Sequence, residues 1–86
     1  MKTGVIVYMA GDEPQGFCPE IKNVPAMLDF KADRVAWISR HSGYHDIHDA
    51  DFALSAKGMD RIICLMGEFT DTGHVSLTGR ALRLRG

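Results

Sequence analysis

The stretch Arg61-Ile-Ile-Cys-Leu-Met-Gly-Glu-Phe69 decides the predicted fold, together with the segment that follows it. It is rich in β-branched and large apolar residues, which favour a buried strand. Residues 74–85 form a second extended segment with alternating side chains. The polar residues 70–73 between the two end in glycine, which supplies the positive φ that a hairpin turn often requires. The last third of the chain therefore predicts an antiparallel β-hairpin.

The final strand of this hairpin has a two-sided pattern. Leu82 and Leu84 are predicted on one face, with Arg83 and Arg85 on the other. Residues 61–86 hold four arginines against two acidic residues, so the tail is basic. Such alternation is typical of an antiparallel strand with one packed face and one solvated face.

Size and composition indicate one small globular domain covering residues 1–86. With 45% hydrophobic and 24% charged residues, the chain is too apolar for intrinsic disorder. No apolar run approaches the roughly 18 residues of a membrane span, and the N-terminal run lacks a clear cleavage site. Two cysteines are too few for a disulfide framework, and Cys64 lies inside an apolar run as a small core residue does. We expect a cytoplasmic protein that does not associate with membranes.

The rest of the chain contains further strands and two ambiguous segments. Residues 3–10 form a continuous apolar run that predicts a buried strand, and residues 34–40 favour another. Residues 26–33 fit a short helix or a strand. Residues 41–51 are polar and contain glycine, as loops do. Residues 50–57 fit the third strand of a meander or one to two helical turns.

These segments predict an α+β fold: a small, mainly antiparallel sheet of four to six strands with one or two short helices and the C-terminal hairpin. A βαβ arrangement over residues 3–67 is the alternative, since strand and possible helix alternate there. The alternating last strand favours the antiparallel sheet.

A short internal similarity joins two of the strand entries. The hexapeptide that begins Asp33-Arg34 resembles the one that begins Asp60-Arg61, 27 residues later. One such similarity between two segments does not establish a repeat array, which needs at least three units. It is consistent with both segments entering strands in the same way.

Residues 41–51 hold the one polar cluster of note, with three imidazoles and three carboxylates. These groups are ligands for Zn²⁺ or another divalent ion. The candidate metal ligands are His41, His45, His48 and Asp49. In a helix, the three histidines would share one face, although Gly43 disfavours that helix. The alternative is a solvated loop in which Asp49 or Asp51 caps the next element.

No motif in the sequence assigns a catalytic residue, so the prediction leans away from an enzyme. The first functional prediction is a non-catalytic binding or assembly module, in which a sheet edge associates with a second copy or a protein partner. Its candidate interface residues are Arg80, Arg83 and Arg85.

Two alternatives remain open from the sequence. One is a divalent-metal-binding protein or metal-dependent enzyme built on the histidine cluster; no other cofactor is predicted. The other is weak nucleic-acid binding through the arginines of the last strand.

Overall fold

The computed structural model describes residues 1–11, 28–40, 43–69 and 75–86. Within these ranges the chain forms four strands and one helix. In chain order they are β1 (Thr3–Ala10), β2 (Arg34–Ile38), α1 (Ile47–Ala56), β3 (Arg61–Phe69) and β4 (Val75–Arg85). The predicted hairpin turn at residues 70–73, Cys18 and His41 lie outside the described residues.

The sheet is mixed, with strand order β2-β1-β3-β4. Strand β1 pairs parallel with both β2 and β3, and only β3 and β4 pair antiparallel. The prediction of a sheet with a helix is confirmed, but the prediction of a mainly antiparallel sheet is wrong. The physical reason lies in β1, whose continuous apolar run leaves little polar face, as a central parallel strand requires. The alternation in β4 describes an edge strand and not the whole sheet.

The helix α1 occupies part of the segment predicted as a polar loop, residues 41–51, and most of residues 50–57, which the sequence left undecided between a strand and one to two helical turns. Its N-cap is Asp46, whose Oδ1 accepts a hydrogen bond from the backbone N–H of Asp49 at 2.8 Å. The prediction that Asp49 or Asp51 caps the element is therefore wrong, since both lie within the helix. Asp49 instead places a carboxylate in the first turn, where the helix dipole favours negative charge.

Burial along α1 follows the helical period. Ala50 and Leu54, four residues apart, are buried against the sheet, whereas Phe52 between them is 71% exposed. The apparent alternation of residues 52, 54 and 56 therefore marks no strand face. Among the described residues, α1 is the longest helical segment, and its ten residues fall well short of a bilayer's width.

The sheet packs an apolar cluster on each face. The cluster on the helix side comprises Ile6, Ala36, Ile38, Ala50, Leu54, Met59, Ile62 and Cys64. The cluster on the opposite side comprises Val5, Val7, Met9, Trp37, Leu65 and Val75, with residues 28–32 contributing partly buried side chains. Residues 28–33, which the sequence left undecided, form neither helix nor strand.

Two aspartates fix the start of the central strand. The Asp33 Oδ2 accepts a hydrogen bond from the Thr3 N–H at 2.8 Å, and the Asp60 Oδ2 accepts one from the Lys2 N–H at 3.1 Å. In return, the backbone N–H of Asp33 donates to the Thr3 carbonyl, and that of Asp60 to the Lys2 carbonyl. The similarity between the two Asp-Arg segments thus reflects equivalent entries into β2 and β3, on either side of β1.

Candidate interaction surface

Strand β4 forms one outer edge of the sheet and is irregular. Its pairing with β3 changes register between Ile62 and Ile63, so that Arg83 lies opposite Ile63 and Arg85 opposite Ile62. Leu84 is the extra residue of this bulge. Because Ile62 belongs to the helix-side cluster, the bulge brings Arg85 to the helix side, whereas Arg83 faces the other way. The prediction that Arg83 and Arg85 share a face is therefore wrong.

The three predicted interface arginines have different surroundings. The Arg85 Nε and Nη2 donate to the two carboxylate oxygens of Asp51 on α1, at 2.9 Å each. These hydrogen bonds, and the charge of Asp51, raise the pKa of Arg85 above its usual range. The Arg83 Nη1 donates to the Gly86 carbonyl at 3.4 Å, and Arg80 is exposed on β4. Arg83 and Arg85 therefore contribute to no common basic face, and nucleic-acid binding through the three arginines stays a prediction.

A second irregularity interrupts the middle of the edge. Cys64 pairs with Leu82 and Met66 pairs with Thr78. Two residues along β3 therefore correspond to four residues along β4, so β4 contains two extra residues here. Bulges of this kind increase the local twist of an edge strand. Twist and positive charge are both common means of protecting an edge from pairing with another strand.

Among the described elements, only α1 packs on the helix-side face of the sheet, and it covers part of that face. Helix α1 packs chiefly on β2 and β1. Tyr8 and Met66 lie two residues after Ile6 and Cys64, which belong to the helix-side cluster, so their side chains are on the same face of the sheet. The two residues are paired across β1 and β3. Leu82 pairs with Cys64 on the same side. These three side chains, which we call the apolar patch, are 38%, 41% and 60% exposed, respectively.

A fourth exposed apolar side chain lies on the outer side of α1. At about 100° per residue, Phe52 is roughly 160–200° around the helix axis from Leu54 and Ala50, the two buried positions. Its ring therefore points away from the sheet that the helix covers. Phe52, Tyr8 and Met66 carried no signal as surface residues in the sequence, because their neighbours made each of them look like part of a core strand.

The candidate metal ligands are distributed around the start of α1. His45 precedes the N-cap residue Asp46, and His48 and Asp49 are exposed in the first turn. The helix begins at Ile47, so His45 lies before it and His48 within it. The two histidines therefore do not share a face of one helix, as the metal-site hypothesis required. Among the described residues, no group of three His, Cys, Asp or Glu side chains is arranged to hold a metal ion. His41 lies outside those residues, so metal binding by the full set stays a prediction.

Comparison with known proteins adds no relative to this description. No protein-family model matches the chain, and neither the curated proteins nor the solved structures give a significant match.

Proposed function

We propose that the chain is a non-catalytic assembly module that associates with a second copy of itself through the helix-side face of its sheet. In this dimer, Phe52 of each copy packs into the apolar patch of the other. The observation that carries the proposal is that, apart from the N-terminal Met1, the large hydrophobic side chains exposed among the described residues lie on two surfaces on the helix side of the sheet. They are Tyr8, Met66 and Leu82 on the open half of the sheet and Phe52 on the outer side of the helix.

The dimensions of the elements favour this packing. A helix is about 10 Å wide and strands are about 4.8 Å apart, so one helix covers about two strands. Helix α1 covers β2 and β1, and no other described element packs over β3 and β4 on this side, which leaves the width of one helix there. When two copies face each other across a two-fold axis, their helices form one middle layer between two sheets. Each helix then contacts its own sheet on one side and the partner's apolar patch on the other.

Such an interface is isologous, since the same residues contribute from both copies. It removes the Phe52 side chain from water, and aromatic side chains contribute strongly to binding free energy because each buries a large apolar area. It also covers Met66 and Leu82, which are otherwise exposed to water. One contact therefore accounts for all four side chains.

Pairing of two β4 edges is a second route to self-association, and it is the one that the sequence suggested. Edge pairing is supported by the position of β4 at the edge of the sheet and by its length of eleven residues. Its two bulges and its arginines oppose it, since like charges near each other across an edge repel. The two routes differ in their dependence on salt. Edge pairing would strengthen as salt screens the arginines, whereas the apolar face contact would change little.

A charge-complementation experiment tests the proposal. Light scattering on size-exclusion fractions is expected to give a concentration-dependent dimer for the wild-type chain. Phe52→Lys and Leu82→Glu should each be monomeric, because a buried unpaired charge is costly. Mixed together, the two variants should form a heterodimer, in which Lys meets Glu at one contact and the wild-type contact forms at the other.

The matched control is Arg83→Glu, which changes a charge next to Leu82 but on the opposite face of β4. It should dimerise as the wild type does. A wild-type chain that stays monomeric at about millimolar concentration would exclude both routes. Loss of the dimer in Arg83→Glu but not in Leu82→Glu would exclude the face contact.

A further inference from the structure

A cavity of about 290 Å³ lies between β2 and the C-terminal end of α1. Strand β2 is at the edge of the described sheet opposite β4, and α1 packs on β2 and β1. The buried side chains of Ala36 and Leu54 line the apolar part of the cavity, one from each element. The half-buried side chains of Ala32, Val35 and Tyr44 extend this lining. The cavity therefore offers an apolar surface to a small ligand.

The backbone after β2 fixes Tyr44 at this cavity. The Tyr44 N–H donates to the Trp37 carbonyl at 2.8 Å, and Tyr44 forms a parallel β-bridge with Ile38. Glycine allows this return at position 43, where φ is +78° and a Cβ atom would overlap the same carbonyl oxygen. Tyr44 also packs against the helix-side cluster. Its side chain is therefore held in place by the fold itself.

Two cationic side chains line the cavity. Ala36 and Ile38 follow Arg34 by two and four positions and belong to the helix-side cluster, so the Arg34 side chain is also on the helix side of β2. Lys57 is the C-cap residue of α1. Both residues are exposed, and within the described part of the chain neither side chain donates a hydrogen bond or forms an ion pair. Both can therefore bind a carboxylate without giving up an existing contact.

The same cavity also presents negative charge. Asp33 is the one acid among its described lining residues, and Glu20, the nearest acid outside the described ranges, precedes Ala32 by twelve positions. The Asp33 Oδ2 accepts from the Thr3 N–H at 2.8 Å, whereas its Oδ1 is 4.0 Å from the Nζ of Lys31, whose side chain is 88% exposed. Such an exposed pair is weak, so Oδ1 can accept from an incoming ammonium group. The C-terminal end of α1 carries partial negative charge, which also favours a cation.

We propose that this cavity binds a small zwitterion, an α-amino acid with an apolar side chain. Its carboxylate contacts Arg34 and Lys57, its ammonium group contacts Asp33, and its side chain contacts the apolar lining. A guanidinium group offers two parallel N–H donors, which match the two oxygens of a carboxylate. The volume is at the lower end of small-molecule sites, which suits a ligand smaller than a drug-sized molecule. The described lining includes neither Phe52 nor a residue of the apolar patch, so this site is separate from the proposed dimer contact.

Free leucine and two compounds that each lack one of its charges test the proposal, with the backbone amide shifts of isotope-labelled protein as the readout. 4-Methylpentanoate lacks the ammonium group and 3-methylbutylamine lacks the carboxylate, while both keep the apolar side chain. Leucine is expected to give saturable shifts at residues 32–36, Tyr44 and Lys57. Each of the other two compounds should bind at least about fivefold more weakly, because one charge-assisted hydrogen bond is lost.

Variants assign each charge to a side chain. Arg34→Gln should weaken the binding of leucine and 4-methylpentanoate at least about fivefold and leave that of 3-methylbutylamine unchanged. Asp33→Asn should weaken leucine and 3-methylbutylamine and leave 4-methylpentanoate unchanged, and its amide oxygen still accepts from the Thr3 N–H. Arg80→Gln, a matched loss of an exposed arginine on β4, should bind leucine within about twofold of the wild type. Unchanged amide spectra away from the cavity establish that each variant is folded.

Three results would overturn the proposal. One is the absence of saturable shifts with leucine up to about 50 mM. Another is binding of 4-methylpentanoate as tight as that of leucine, which would leave Asp33 without a role and make the site one for carboxylates alone. The third is equal weakening by Arg34→Gln and Arg80→Gln, which would indicate a general charge effect.

Discussion

The guanidinium of Arg85 on β4 and the carboxylate of Asp51 on α1 are joined by two hydrogen bonds of 2.9 Å each. This pair connects the end of an edge strand to a helix that otherwise packs on β2 and β1. It exists because the bulge at Leu84 turns Arg85 to the helix side. The pair therefore covers one end of β4, beside Leu84, whereas the side chains of the apolar patch stay exposed within the part of the chain that the structure describes.

Breaking this pair is expected to loosen the end of β4 with a small loss of global stability. Arg85 is 51% exposed in its side chain, and solvent and salt screen exposed pairs. In a double-mutant cycle with Arg85→Gln and Asp51→Asn, the coupling measured by denaturant unfolding should be favourable and should shrink as salt is added. Amide exchange at residues 82–85 should rise in either single variant. A coupling that is zero at low salt would contradict a role for the pair.

Gly43 should be the least replaceable glycine among those described. An alanine there combines a φ of +78° with a Cβ atom 2.1 Å from the Trp37 carbonyl oxygen. We expect Gly43→Ala to lower the free energy of unfolding by at least about 3 kcal/mol. Gly58 is the matched control, with a φ of +87° but no atom within 4 Å of the added Cβ. Gly58→Ala should cost only about 1–2 kcal/mol, from backbone strain alone. Equal losses in the two variants would contradict the steric argument.

The two aspartates at the entry of the parallel strands should differ in their contribution to stability. The Asp33 carboxylate accepts a shorter and more buried hydrogen bond than that of Asp60. We expect Asp33→Ala to lower the free energy of unfolding by about 1–2 kcal/mol and Asp60→Ala by about half as much. Asp33→Asn should recover part of the loss, because the amide oxygen still accepts from the Thr3 N–H. Urea denaturation of the three variants tests this order, and a reversed order would contradict it.

Cys64 should react slowly while the chain is folded. Burial raises the pKa of its thiol, and the thiolate is the reactive form. In a Cys18→Ser background, a thiol reagent at pH 8 should modify the folded chain at least about a hundredfold more slowly than the unfolded chain. Equal rates would place the thiol at the surface.

The raised pKa of the Cys64 thiol also predicts how the free energy of unfolding changes with pH. A raised pKa in the folded state means that the folded chain keeps this proton where the unfolded chain has lost it. The free energy of unfolding should therefore fall as pH rises above the usual thiol pKa. Cys64→Ala should lack this component, so the difference between the two chains should change in that range. A difference independent of pH would contradict the burial of a titrating thiol.

The strands were predictable from the sequence because the first three are short, largely apolar runs and the last one alternates apolar and charged side chains. The bounds of the first strand are those predicted, and β2 begins at Arg34 as expected and ends two residues early. The pairing of β3 with β4 was predictable because their segments are adjacent in the chain. Parallel pairing entered only as the βαβ alternative over residues 3–67, because it joins β1 to strands that begin about 30 and 60 residues later and no short turn between adjacent segments indicates it.

The sequence left residues 50–57 undecided between a strand and one to two helical turns, because two patterns coincide there. Phe52, Leu54 and Ala56 alternate as a strand does, while Ala50 and Leu54 share a helical face. The N-cap at Asp46, with an acidic residue three positions later, was the available signal for the helix. The candidate surface was harder to find, since an exposed phenylalanine and an exposed methionine look like core residues until the neighbouring elements are placed. The sequence alternates without interruption from Leu82 to Arg85, so it gives no sign of the bulge that places Arg83 and Arg85 on opposite faces.

The central claim is that Phe52 of one copy contacts the apolar patch of another, and an isotope-filtered nuclear Overhauser experiment tests it most directly. Labelled and unlabelled chains are mixed at a concentration where light scattering finds dimer, so that only contacts between copies are observed. We predict cross-peaks from the Phe52 ring protons to the methyl groups of Met66 and Leu82. A dimer that shows intermolecular contacts along β4 and none to Phe52 would contradict the claim.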